Sequence, residues 1–259
     1  MIRKLIIIFI ALSFFSVCFA GSIQDMHKAA IARKNISCYD CDSDDATFLW
    51  ECNSTTVGTG TPCGCSDGDT TTSANDEATI TAGACVFDDT GGTPDGLDFF
   101  PFDVSSDDIF DDSIGTVFIN FKVDTFVDDV TLLYVYKDDD NRFRVKIDNS
   151  DEVSTVHEGQ NNSQWAATTD SPVSTGVIYI VRVKWEVGGT PDLAINIFNE
   201  AMVEQGSGAT NDTPLTLMNP EPGAGGLQVG NGLAVGVGAN FTIYYIHIYN
   251  TLKDTDPNG

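Results

Sequence analysis

The sequence predicts an all-β fold, two antiparallel sheets packed as a sandwich. Three observations lead there. Apolar and polar side chains alternate with a period of two through a dozen or so short segments, turn residues separate those segments at regular intervals, and no convincing long helix competes with them. The plainest stretch is Gly115–Ile147. Val117, Ile119, Phe121 and Val123 alternate with Thr116, Phe118, Asn120 and Lys122, so one face of this strand is apolar and the other mixed. Thr131–Lys137 is rich in β-branched and aromatic residues. Asp138–Asn141 then supplies turn residues that tolerate left-handed backbone. Arg142–Ile147 returns with Phe143, Val145 and Ile147 opposed to Arg142, Arg144 and Lys146. This is read as the antiparallel centre of the sandwich.

The elements before it are weaker. Arg3 and Lys4 precede an apolar run, Leu5–Phe19, and Ala20 before Gly21 suits cleavage, so residues 1–20 read as a secretory signal. That run is shorter than the roughly 20 residues of a membrane span, and the mature chain is expected to be secreted and extracellular, with no membrane span. A lipoprotein reading of Cys18 lacks the small residues such a site needs. Residues 21–45 read as a lead-in holding one short helical possibility, Ile23–Arg33. Ala46–Cys52 is a first strand, 53–76 a long Thr/Gly/Ser/Asp loop, Ala78–Phe87 a second strand and Leu97–Phe102 a third.

After Ile147, Glu152–His157 reads as a short strand and Glu158–Pro172 as a polar loop holding Trp165. Val177–Trp185 is the longest strand. Gly188-Gly189 turns it into Leu193–Phe198, and Asn199-Glu200 turns that into Ala201–Glu204. Leu227–Gly230 and Phe241–Tyr249 complete the set. No repeat of 20–50 residues is present.

The formal charge is −25, and loss of Arg3 and Lys4 with the signal would take it to −27. Such acidity argues against nucleic acid and anionic membranes as partners. With Cys18 in the signal, Cys38, Cys41, Cys52, Cys63, Cys65 and Cys85 remain, an even number in an exported chain, and they read as disulfides staking down a front loop over 38–85. A zinc site on Cys38-x-x-Cys41 and Cys63-x-Cys65 is the rival; its second pair is too tightly spaced.

In order and character, Gly115–Phe121, the Tyr134-Val135-Tyr136 hairpin, the strand ending in Trp185, Leu193–Asn199, Leu227–Gly230 and Phe241–Asn250 resemble the laminin-G-like group of concanavalin A-like lectin/glucanase jelly rolls. The resemblance covers about residues 46–253, leaving 254–259 as a tail. It departs at Asn199-Glu200, where the family usually has Asn-Gly, and at the cysteine cluster. It implies a jelly roll that binds glycans or matrix proteins, or hydrolyses β-glucans, and leaves the choice open.

The glucanase branch would need a strand motif Glu-x-Asp-x-Glu, whose alternate carboxylates share one face. The nearest match, Glu200-Ala-Met-Val-Glu204, has Met202 where an acid should stand, so no catalytic residues are expected. His27, His157 and His247 are scattered, and no phosphate loop or HExxH is present. Acid pairs recur at loops; solubility and turn formation are the plainer reading, and calcium is the candidate cofactor, with Asp128 and Asp129 as first candidate ligands. The bases are the more informative anomaly. Lys122, Arg142, Arg144, Lys146, Arg182 and Lys184 all fall on the polar side of three strands. If those strands share a sheet, an acidic protein carries one basic face, a platform for an anionic glycan whose carboxylate or sulfate the arginines would grip; cross-strand pairing with acids is the plainer alternative. Trp165 could stack on a sugar ring or pack under its loop. The expectation is a secreted, non-catalytic module binding carbohydrate or an extracellular protein partner, with a self-associating structural subunit as the alternative.

Overall fold

A computed structural model of the chain describes residues 46–51, 57–58, 69–75, 79–80, 84–88, 96–100, 110–125, 129–138, 140–148, 151–160, 162–168, 173–218, 226–230 and 240–256. All fall in the unit Asp40–Gly259. The signal, the lead-in and its helical stretch lie outside the described residues.

Sixteen strands are described. They are β1 (Ala46–Glu51), β2 (Val57–Gly58), β3 (Asp69–Asn75), β4 (Thr79–Ile80), β5 (Cys85–Asp88), β6 (Gly96–Phe100), β7 (Ile114–Thr125) and β8 (Val130–Asp138). Then come β9 (Asn141–Ile147), β10 (Val153–Gly159), β11 (Asn162–Ala167), β12 (Ile178–Glu186), β13 (Leu193–Asn199), β14 (Ala209–Asn211), β15 (Gly226–Gly230) and β16 (Asn240–Tyr249). They form two eight-stranded antiparallel sheets. The first runs β14-β13-β12-β7-β16-β5-β4, with β1 also on β16; the second runs β11-β10-β9-β8-β15-β6-β3-β2. The expected all-β sandwich is thus what the chain forms.

The alternation read from sequence sets the inward faces. Val117, Ile119, Phe121 and Val123 of β7 are fully buried, as are Val181 and Val183 of β12 and Phe143, Val145 and Ile147 of β9. They belong to one core shared by the two sheets. Trp185 of β12 reaches across to Phe143 of β9, ring centroids 5.0 Å apart, and stacks on Phe110 at 4.8 Å. Its indole Nε1 donates to the carbonyl of Asp111 at 2.7 Å, which ties residues 110–113 across one end of the sandwich. Gly115 stands opposite Trp185 in the register. A Cβ there would lie 2.2 Å from the indole ring, so only glycine fits.

Several expectations need correction. The polar loop 158–172 contains strand β11, and the loop 53–76 contains β2 and β3. The single strand 78–87 is two short ones, β4 and β5, paired to each other. Ala201–Glu204 is not a strand: Met202 has φ 57° and the segment is a turn, joined to β13 by the lone bridge Phe198–Glu204. β11 lacks the β-branched residues that announce a strand. It is held from outside instead. Asn211 donates to the carbonyl of Trp165 at 2.8 Å, and Asn162 donates to Thr216 Oγ1 at 2.7 Å. The segment after β14 therefore covers the free edge of the second sheet.

Candidate functional site

The six bases do not share a face. Lys122 is on β7 and Arg182 and Lys184 on β12, in the first sheet; Arg142, Arg144 and Lys146 are on β9, in the second. The premise of one basic platform fails because β8 follows β7 into the opposite sheet. What remains is two outer faces of different character.

On the outer face of the second sheet, antiparallel register lines up Trp165 of β11, Val156 of β10, Arg144 of β9, Tyr134 of β8 and Gln228 of β15. The next row over holds Glu158, Arg142 and Tyr136, and a third holds Ser154, Lys146 and Thr131. Trp165 is thus neither in a loop nor packed beneath one; it is 49% exposed at the edge of the sheet. Val156 beside it is only 2% exposed, and the rings of Tyr134 and Tyr136 lie 5.5 Å apart.

The three bases of β9 differ in how they are engaged. Arg142 Nε pairs with Glu158 at 2.6 Å, and Lys146 Nζ with Asp129 at 2.6 Å. Arg144 forms no ion pair among the described residues. Burial pushes its guanidinium below the usual range, and Arg142 adds to that, against the attraction of Tyr134 and Asp129. It stays charged regardless, since an arginine starts so far above neutral pH. A half-buried cation with free donors thus sits between an aromatic ring and a small apolar patch.

The outer face of the first sheet is closed. Asp254 pairs with Lys184 at 2.9 Å and with Arg182 at 3.7 Å, and Arg182 Nη2 donates to Asn196 at 2.8 Å with its guanidinium 5.1 Å from the Phe198 ring. Lys122 pairs with Asp124 on its own strand at 2.7 Å. Arg182 and Lys184 are thus already occupied, a fact that strand periodicity cannot reveal because their partner lies about 70 residues away in sequence.

Of the expected calcium ligands, Asp129 accepts from Lys146 and Asp128 lies outside the described residues. Among the described residues no group of three or more His, Cys, Asp or Glu could hold a metal ion. Cys85 in β5 is disulfide-bonded, and Cys38, Cys41, Cys52, Cys63 and Cys65 lie outside the described residues. Glu200 is in the turn after β13, and Glu204 accepts from Asn196 at 2.7 Å. No helix among the described residues is long and apolar enough to cross a membrane.

Sequence reasoning passed over His157 and Glu158. His157 is fully buried on the inner face, with Nε2 3.1 Å from the carbonyl of Asp112 and Nδ1 without a partner among the described residues. Burial lowers its pKa to about 4.

No protein-family model matches this chain, and no curated protein does. Among solved structures it is similar to the CBM40 of the Ruminococcus gnavus IT-sialidase bound to α2,3-sialyllactose (17% identity, 55% of this chain and 78% of that one, TM-score 0.42). It is also similar to the binding domain of botulinum neurotoxin serotype D/C VPI 5993 (8% identity, 81% and 50%, TM-score 0.53) and that of serotype C1 (10% identity, 72% and 44%, TM-score 0.51). The chain spans half or less of those two neurotoxin domains. With the neurotoxin domains it shares a two-sheet β-sandwich.

Proposed function

We propose that the chain is an exported, non-catalytic, laminin-G-like recognition module, and that the outer face of its second sheet binds an acidic glycan. The observation that carries this reading is the row Trp165–Val156–Arg144–Tyr134: the other two bases of β9, in the rows on either side, are paired with carboxylates, and Arg144 forms no ion pair among the described residues. An exposed indole gives a flat apolar surface for a sugar ring, and a buried valine beside it makes a dry floor. The guanidinium fork offers parallel donors to a carboxylate or sulfate, and half-burial keeps that interaction from being fully screened. Neighbouring strands are about 4.8 Å apart, so the row from Trp165 to Tyr134 suits an oligosaccharide better than a single ring. The similar neurotoxin domains are themselves binding domains.

A glycan array followed by titration calorimetry tests this. Arg144→Gln should cost acidic glycans about tenfold or more in affinity, the value of a charge-assisted hydrogen bond, and leave neutral ones unchanged, whereas Trp165→Ala should weaken both. Equal loss for neutral and acidic ligands in Arg144→Gln would refute the reading. Repeating the titration in calcium and in a chelator tests calcium assistance through the loop of Asp128 and Asp129. Unchanged affinity removes that part alone.

A further inference from the structure

The segment 251–256 turns back from β16 over the outer face of the first sheet and is held there as a bound peptide would be. The Thr116 hydroxyl donates to the carbonyl of Thr251 at 2.8 Å and accepts from the amide of Lys253 at 2.9 Å. Arg182 donates to the carbonyl of Asp254. Two carboxylates point down into the face. That of Asp254 meets Lys184, and that of Asp256 accepts from the Tyr249 hydroxyl at 2.6 Å and from His247 Nδ1 at 2.9 Å. Below them Phe118 and Tyr249 are fully buried and meet edge to face, centroids 6.0 Å apart. Phe118 is on the strand face that should look toward solvent, and there it packs against the Tyr249 ring.

The two anchors are unequal. The Asp256 side chain is 3% exposed and that of Asp254 84%. Arg182 holds the segment through the Asp254 carbonyl; its contact with the Asp254 carboxylate is longer, 3.7 Å, and its buried Nε has no partner among the described residues. The chain bends at 254 and 255, so recognition reads as two carboxylates two residues apart on a bent segment, led in by main-chain bonds at Thr251, Lys253 and Asp254.

We propose that this face is a docking surface for a short acidic peptide, that segment 251–256 occupies it in cis, and that the same segment of a second copy is the partner it accepts in trans. Exchange of an identical element makes a self-complementary contact without any new surface. Tethering keeps the cis segment at an effective concentration of about millimolar, so the exchange is suppressed until the cis contact is weakened. The surface belongs to the opposite sheet from the glycan row, and either assignment can fail without the other.

A complementation experiment on the full chain tests it. Asp254→Asn with Asp256→Asn keeps the face and removes the carboxylates; Arg182→Gln with Lys184→Gln blunts the face and keeps the segment. In sedimentation velocity each protein alone should run as a monomer, and their equimolar mixture should form heterodimers at least tenfold more tightly than either self-associates. A synthetic peptide of residues 250–256 should dissolve that heterodimer. Should either double variant lose its folded circular dichroism, Asp254→Asn alone and Lys184→Gln alone replace them, since both side chains reach solvent. A mixture that sediments as the sum of its components, or that associates no better than each component alone, overturns the proposal.

Discussion

Replacing His157 by glutamine should remove much of the loss of stability that this protein suffers between neutral and mildly acidic pH. The imidazole is fully buried on β10, edge-on to Phe143, with Nε2 on the carbonyl of Asp112 and Nδ1 without a partner among the described residues. The neutral tautomer with its proton on Nε2 fits this site. The imidazolium would place a charge in a fully buried site, where desolvation outweighs the backbone hydrogen bonds that favour it. Burial accordingly lowers the pKa from 6.5 to about 4. A group that binds its proton more tightly when unfolded favours the unfolded chain as pH falls. The stability is whole above pH 6.5 and drains away toward pH 4. At 1.36 kcal/mol per unit, the difference amounts to about 3 kcal/mol, since the site is fully buried and needs no discount for screening. Urea unfolding followed by tryptophan fluorescence at intervals from pH 7 to 4 would measure it in both proteins. Carboxylates contribute to both curves, so the difference between them isolates the histidine. If the variant loses as much stability as the parent over that window, the buried imidazole is not the titrating group and the account fails.

Three further outcomes follow from the packing. Gly115→Ala should lower the thermal midpoint by many degrees, at a cost of about 3 kcal/mol or more, because the new methyl meets an indole wedged between Phe110 and Phe143; calorimetry would read it. Arg142→Ala leaves the Glu158 carboxylate, 9% exposed, without its cation, and should cost about 3 kcal/mol in urea at pH 7, whereas Glu158→Gln, which leaves only an exposed cation, should cost about 1. Asp254→Asn should change stability by no more than about 0.5 kcal/mol by the same assay, since its side chain is 84% exposed.

The inward half of this fold was legible because burial writes itself into a period of two. Each of the strands β7, β9, β12, β13 and β16 lies within a residue or two of where alternation puts it. Where a strand is held by something other than its own apolar face, the signal vanishes. Asn162–Ala167 is polar and short, and what fixes it is the hydrogen bonding of Asn211 and Thr216 from a distant segment. Ala201–Glu204 shows the reverse. Its composition suits a strand, but the side chain of Asn199 accepts from the amides of Ala201 and Val203 and winds the chain into a turn.

The candidate site was half legible for a related reason. Period two gives the side of the strand on which a base lies, but it cannot give the sheet to which the strand belongs. β7 and β9 are neighbours in sequence yet belong to opposite sheets, because β8, the next described strand after β7, pairs into the other layer. Nor does it give the partner. Arg144 and Arg182 occupy the same kind of position on strands of the same kind, yet one stands in a row that ends at an exposed indole and the other lies under Asp254. The difference is made by β11 on one side and segment 251–256 on the other, both placed by contacts distant in sequence. Of the six bases that alternation singles out, five lie against the chain's own carboxylates, and Arg144 is the exception among them. That is why Arg144, rather than the count of six, carries the functional reading.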